Sequence, residues 1–95
     1  MVIGVCQLDL YLDENFSLKG KRQVIKSLIQ RARQRFNISI AEVADQDLWQ
    51  KAVLGFCAVS NDRQHVNSVL DHVIKFIEET QLTRVGDSQI EIINY

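Results

Sequence analysis

Between Ser17 and Phe36 the sequence places seven basic residues, Lys19, Lys21, Arg22, Lys26, Arg31, Arg33 and Arg35, and no acidic one. Ammonium and guanidinium groups gathered this way do one kind of chemistry well, charge-assisted hydrogen bonding to the oxygens of an anion. The rest of the chain carries four basic residues against twelve acidic ones, so a formal net charge of -1 conceals a cationic segment set in an anionic body. Such a dipolar layout biases how the molecule meets an anionic partner.

No other grouping specifies a reaction. Gly20-Lys21 has the look of a phosphate loop, but that motif needs glycine at the position of Asn15 and Ser or Thr at that of Arg22. Gly55-Phe56 resembles the stacking motif of RNA-recognition sheets. However, Leu54, Val59 and Cys6 stand where its aromatic partners belong, which assigns Phe56 to the core. His65 and His72 lie seven residues apart, about 10 Å along a helix, too far for one metal ion without a further ligand. Glu42, Asp45 and Asp47 could form a weak cation site, although acids at a hairpin more often shape the turn. Asp9, Glu14 and Glu91 have no spacing that fixes an acid-base pair, and no serine sits in a nucleophile motif. These residues therefore point to a non-catalytic binding module, with no cofactor and no metal assigned.

The cations need an element to align them, and the pattern supplies a helix. Ser17 suits an N-cap, and Val24, Ile25, Leu28, Ile29, Ala32 and Phe36 recur at helical spacing to about Arg35. On a wheel of about 100° per residue, Lys19, Arg22, Lys26 and Arg33 fall within about 60° of one another, a ridge some 20 Å long that could span several phosphates. Lys21 is grouped with these four as a phosphate contact, and Arg31 and Arg35 are peripheral.

Around this helix the alternation of Val2 to Leu12 predicts a strand, with Gly4, Cys6, Leu8 and Leu10 toward the core. Ile38 to Ala44 and Trp49 to Ser60 predict a hairpin through a tight Asp45-Gln46-Asp47 turn, with Trp49 anchoring the start of its second strand. Asn61 to Thr80 predicts a second helix capped by Asn61, and Gln89 to Tyr95 a last strand after a Gly86-Asp87-Ser88 turn, with Leu82 to Val85 as a further extended candidate. The order βαββαβ is that of an α+β, ferredoxin-like domain, a four-stranded antiparallel sheet with both helices on one face. A length of 95 residues is one domain's worth of core.

With both helices on one side, the other face of the sheet would show Ile3, Val5, Tyr11, Val53, Cys57, Val59 and Ile93. That is too apolar for solvent, and a second copy of the chain is the expected cover. Cys6 and Cys57 fall on opposite faces and are expected to be free thiols, as in a reducing compartment. No apolar run approaches the roughly 20 residues of a membrane span and the N-terminus lacks a secretory pattern, so the expectation is a cytoplasmic protein without membrane contact.

Phe16-Ser17-Leu18-Lys19-Gly20-Lys21-Arg22, then Arg35 through Val43, Gln46-Asp47-Leu48-Trp49 and Val59-Ser60-Asn61-Asp62, together resemble the YlxP-like family of small bacterial proteins, domain of unknown function 503. The resemblance spans essentially the whole chain. It implies a ferredoxin-like fold but no established activity, substrate or cofactor, and the family's genes often lie near those for translation and ribosome maturation. Gly20 departs from the acidic or longer polar residue frequent at that position, and this is expected to weaken the helix start by about 1 kcal/mol relative to Ala. The reading that results is a module that binds RNA or the ribosome through its first helix. The competing reading is a homodimeric small-molecule-binding or regulatory protein that uses the open sheet face.

Overall fold

The computed structural model describes all 95 residues. Its elements follow the expected order: β1 (Val2–Tyr11), α1 (Leu18–Arg35), β2 (Ser39–Ala44), β3 (Lys51–Ser60), α2 (Arg63–Thr80) and β4 (Arg84–Asn94). All strand pairs are antiparallel, in the order β2-β3-β1-β4, and the fold is the ferredoxin-like α+β arrangement. The period-two pattern of β1 puts Cys6, Leu8 and Leu10 into the core together with Leu54 and Phe56 of β3, and both helices press their stripes onto that face. From α2 the stripe is Val66, Leu70, Val73 and Ile77, each fully buried. Burial on this scale stabilises by about 1.5 to 3 kcal/mol per large aliphatic side chain.

The buried stripe of α1 is Lys21, Ile25, Leu28 and Ala32. Its first member corrects the grouping of Lys21 with the phosphate-binding cations, because the side chain is 1% exposed. Its spacing to the other three is that of a core residue, and it points inward. The ammonium donates to the carbonyl oxygens of Asp45 at 2.5 Å and Leu48 at 2.7 Å, with Gln46 O at 3.4 Å. The Glu42 carboxylate lies 3.1 Å away. A cation taken out of water costs several kcal/mol, which this cage of oxygens offsets.

The connection that Lys21 holds is longer than the tight turn expected. A turn closes from Asp45 O to Leu48 N at 3.1 Å, but β3 begins only at Lys51. Asp45 adopts φ 58°, a left-handed conformation that aspartate tolerates better than most residues, and its carboxylate pairs with Lys51 at 3.2 Å. Trp49 therefore sits in the loop with its ring half exposed, and the loop is anchored there by its carbonyl, which accepts from Asn15 Nδ2 at 2.6 Å.

Asn15 also explains Gly20. Its Nδ2 donates a second bond to Ser17 O at 2.7 Å, and Ser17 Oγ caps the helix by accepting from Gly20 N at 3.0 Å. A Cβ on Gly20 would collide with Asn15 Oδ1 and stand 3.1 Å from Ser17 Oγ. Glycine here is thus a steric requirement of the loop-to-helix junction, and the expected weakening is set against two side-chain bonds that need the space.

Two other boundaries move. Asp62, not Asn61, caps α2, its Oδ1 accepting from Gln64 N at 3.0 Å. The Gly86-Asp87-Ser88 segment is no turn but lies inside β4, where the pairing steps from Leu8↔Ser88 to Leu10↔Val85 in a bulge. A second bulge in β2, between Glu42↔Leu54 and Ala44↔Val53, places Val43 over Gly55 on the helix-free face.

Lys21→Met keeps the stem volume but removes the donor from the cage. We expect it to lower unfolding free energy by about 3 kcal/mol in urea melts, since a buried acceptor set is left unpaired. A change under about 0.5 kcal/mol would show that the β2–β3 connection holds itself. Gly20→Ala, which inside a free helix would gain about 1 kcal/mol, is expected to destabilise by a similar amount here. In an Asn15→Ala background the same substitution should become stabilising, and a gain in both backgrounds would refute the steric account.

Candidate functional site

With Lys21 withdrawn, six cations of α1 remain at the surface: Lys19, Arg22, Lys26, Arg31, Arg33 and Arg35 are all exposed. Three ion pairs form in the molecule, and none involves any of these six. Apart from Glu42, which answers Lys21, the body's acids therefore leave the cations of the helix unpaired. Lys19, Arg22, Lys26 and Arg33 share one flank, as the wheel predicts. Arg22, Lys26 and Arg33 border a shallow groove between α1 and β2, with Ile29 and Ala41 along its floor. The one acid in that groove, Glu42, is neutralised from beneath by Lys21.

Arg33 is tethered: its Nη2 donates to Ile40 O at 3.0 Å. The Glu42 carbonyl accepts from Gln46 Nε2 at 3.5 Å, so side chains already occupy carbonyls that a further strand would need along β2. Arg31 and Arg35 leave the helix on its other flank, Arg35 toward α2. The Arg35 guanidinium lies 5.2 Å from the centre of the Phe76 ring, which meets Phe36 edge-on at 5.7 Å. This cluster pins the C-terminal turn of α1 to α2, so the helix is held at both ends.

The remaining candidates resolve into structural roles. His65 and His72 are both exposed on α2, and no three His, Cys, Asp or Glu groups come together as metal ligands. Two of the three acids considered as a weak cation site are committed elsewhere, Glu42 to Lys21 and Asp45 to Lys51, and Asp47 is exposed in the loop. Phe56 is in the core, 3% exposed. Cys6 and Cys57 are both free, on opposite faces as their strand parity requires. Burial, helped by the nearby Asp71 carboxylate, pushes the Cys6 thiol up from 9.0 to about 11.

One arrangement has no precursor in the sequence pattern. Arg84 grips Asp13 in a bidentate pair, Nε to Oδ2 at 2.8 Å and Nη2 to Oδ1 at 3.1 Å, while its guanidinium stacks 4.5 Å from the centre of the Tyr11 ring. The hydrogen bonds from Arg84 hold the Asp13 carboxyl below its usual range. The pair ties the β1–α1 loop to the start of β4 across 71 residues, a separation at which no local spacing can announce it. The polar depression beside it, reached by Glu14 and Glu78, is thereby partly filled by its own ion pair.

The fold and site together define a small ferredoxin-like α+β domain with six exposed, unpaired cations on its first helix. The chain belongs to the family described as "Protein of unknown function (DUF503)", which it matches over residues 3–90. It is similar to the "Uncharacterized protein YlxP" of Bacillus subtilis (strain 168), 36% identical over 77 residues that cover 81% of this chain and 84% of that protein. Among solved structures it resembles the de novo designed protein Foldit4, with TM-score 0.57, 8% identity, and coverage of 100% of this chain and 99% of that one. It also resembles a putative chlorite dismutase, TA0507, with TM-score 0.54 and 11% identity over 97% of this chain and 44% of that one. At these identities the likeness is one of fold alone. No helix is long and apolar enough to cross a membrane.

The raised Cys6 pKa has a consequence for stability. A thiol that stays protonated in the folded protein but ionises on unfolding means the folded state binds more protons between the two pKa values, so stability falls as pH rises through that window. Between pH 9.0 and about 11 the loss attributable to Cys6 should be on the order of 2 kcal/mol, and Cys6→Ala should flatten it. An unchanged slope in Cys6→Ala would assign the alkaline loss to other groups.

Proposed function

We propose that this protein is a non-catalytic module that binds the phosphate backbone of RNA, free or within the ribosome, through the outer flank of α1. The observation that carries this is the absence of any ion pair on six exposed cations in a chain with an acid excess elsewhere. Phosphates are the partner that such a row suits: Lys19, Arg22, Lys26 and Arg33 rise over some 20 Å along one helix face, enough for several contacts in register with a backbone. Arg33, tethered to Ile40 O, presents its guanidinium at a fixed place, whereas Lys19, Arg22 and Lys26 remain free to adapt.

Binding should show little sequence preference. The sheet carries none of the aromatic platforms on which RNA-recognition domains stack bases, since Phe56 is buried and Cys6 and Leu54 occupy the neighbouring positions in the core. Recognition then rests on backbone charge and shape.

The test is retention of the protein on RNA and on ribosomal particles as salt is varied. Affinity should fall linearly on a log-log plot, and each lost contact should reduce the slope by about 0.7 to 0.9. Arg22→Glu with Lys26→Glu should abolish binding while changing stability by under about 0.5 kcal/mol, because neither side chain has a partner in the fold. Equal retention of the wild-type and reversed proteins at low salt would remove the proposal, as would equal binding to double-stranded DNA and RNA, which would leave only generic attraction to polyanions.

A further inference from the structure

We propose that the helix-free face of the sheet is the interface of a symmetric homodimer. This surface lies opposite the cationic helix and does not depend on the reading of that helix. The register puts Ile3 between Val59 and Ile93, and Val5 between Cys57 and Glu91. Val43, Val59 and Ile93 are 47%, 58% and 40% exposed there, and Gly55 leaves a shallow depression bordered by Val5, Val43 and Cys57. Lys51 and Arg84 flank Tyr11 at one end, and Gln7 and Asp9 on β1 with Gln89 and Glu91 on β4 cross the middle of the face as a polar band beside the apolar cluster. An apolar cluster of Ile3, Val5, Val43, Cys57, Val59 and Ile93 accompanied by polar side chains matches the mixed composition of a non-obligate protein interface.

The size fits a second copy. Strands of 10, 6, 10 and 11 residues, at about 3.4 Å per residue and 4.8 Å between strands, give a face of roughly 600 Å². Covering it on two chains removes about 1,200 Å² from water, the lower limit of stable interfaces. The pattern is also self-complementary. A two-fold axis running along the strands, midway between β1 and β3, exchanges β1 with β3 and β4 with β2. Ile3 then meets Val59, Val5 meets Cys57, Gln7 meets Gly55, Asp9 meets Val53 two residues along β3 from Lys51, and Glu91 meets Ser39 rather than another acid.

Edge pairing is the competing mode of self-association. β4 offers 11 residues with a free outer side, whereas β2 offers six with two carbonyls already taken. The two modes differ in which residues they cover, because Val43 and Val59 lie on β2 and β3, away from β4.

Sedimentation equilibrium at micromolar concentration should give twice the chain mass of 10.9 kDa. Val59→Glu and Val43→Glu should each raise the dissociation constant at least about 100-fold, by burying an unpaired carboxylate, while the melting temperature of the dilute protein stays unchanged. Reaction of the native protein with a thiol reagent supplies a second readout that needs no mutation. Cys57 should react quickly in dilute protein and more slowly as the chain concentration passes the dissociation constant. A wild-type protein that stays a single chain across the micromolar range would overturn the proposal. A dimer that tolerates both glutamates and leaves Cys57 reactive would overturn it equally, and would place the contact at the β4 edge.

Discussion

The buried ammonium of Lys21 is the constraint around which one end of the molecule is organised. A lysine at 1% exposure is tenable only if its charge is answered, and the answer comes from a six-residue connection with no regular structure, through the carbonyls of Asp45, Gln46 and Leu48 and the carboxylate of Glu42. Two neighbouring loops reinforce the same place. Asn15 reaches Trp49 O, and Gln50 Nε2 returns to Asn15 O at 3.0 Å, so the β1–α1 and β2–β3 connections are laced together. The first turn of α1 is thereby positioned by polar contacts, whereas its middle is positioned by the packing of Ile25, Leu28 and Ala32. A short loop and a helix start that would otherwise fray are joined into one unit.

This arrangement divides the cations of α1 by role. Lys21 consumes the one acid in the α1–β2 groove, and the exposed six are without ion-pair partners. Arg33 and Arg35 are each used locally as well, one on the Ile40 carbonyl and the other on the Phe76 ring, and both contacts leave the positive charge unneutralised. A carbonyl and an aromatic face attract a cation without cancelling its charge. Structure and surface potential are therefore served by the same residues at the C-terminal end of the helix, but by different residues at its start.

Much of this was legible in the sequence, and the failures have identifiable causes. Period-two alternation gave both faces of β1 and the opposed thiols, and helical spacing gave α1 and α2, because burial imposes those periods directly, whereas Val53, expected on the open face, is 7% exposed. Lys21 was legible too: it stands four, seven and eleven residues before Ile25, Leu28 and Ala32, squarely in the stripe. Its chemical type suggested solvent, and position should have outweighed type. By contrast the bulges at Val43 and at Gly86-Asp87 depend on how neighbouring strands accommodate each other, and the Arg84–Asp13 pair joins residues 71 apart. Gly20 reads as a weak helix start in one dimension and becomes a fitted residue only when the Asn15 side chain is seen beside it.

An uncompensated row of cations has an energetic signature of its own. Lys19 and Arg22, three residues apart, and Arg22 and Lys26, four apart, are neighbours on the helix surface, where like charges oppose helix formation by about 0.2 to 0.5 kcal/mol per pair. Their rises of about 4.5 and 6 Å along the axis lie inside the screening length of roughly 8 Å at physiological salt, so the repulsion survives in solution. The cage around Lys21 holds the first turn of the helix against it. Any polyanion laid along the flank relieves the same repulsion, so it binds the folded chain in preference to the unfolded one and must raise its stability by linkage. The cationic flank and the Lys21 cage thus oppose each other energetically across one turn of helix, the first straining α1 and the second retaining it.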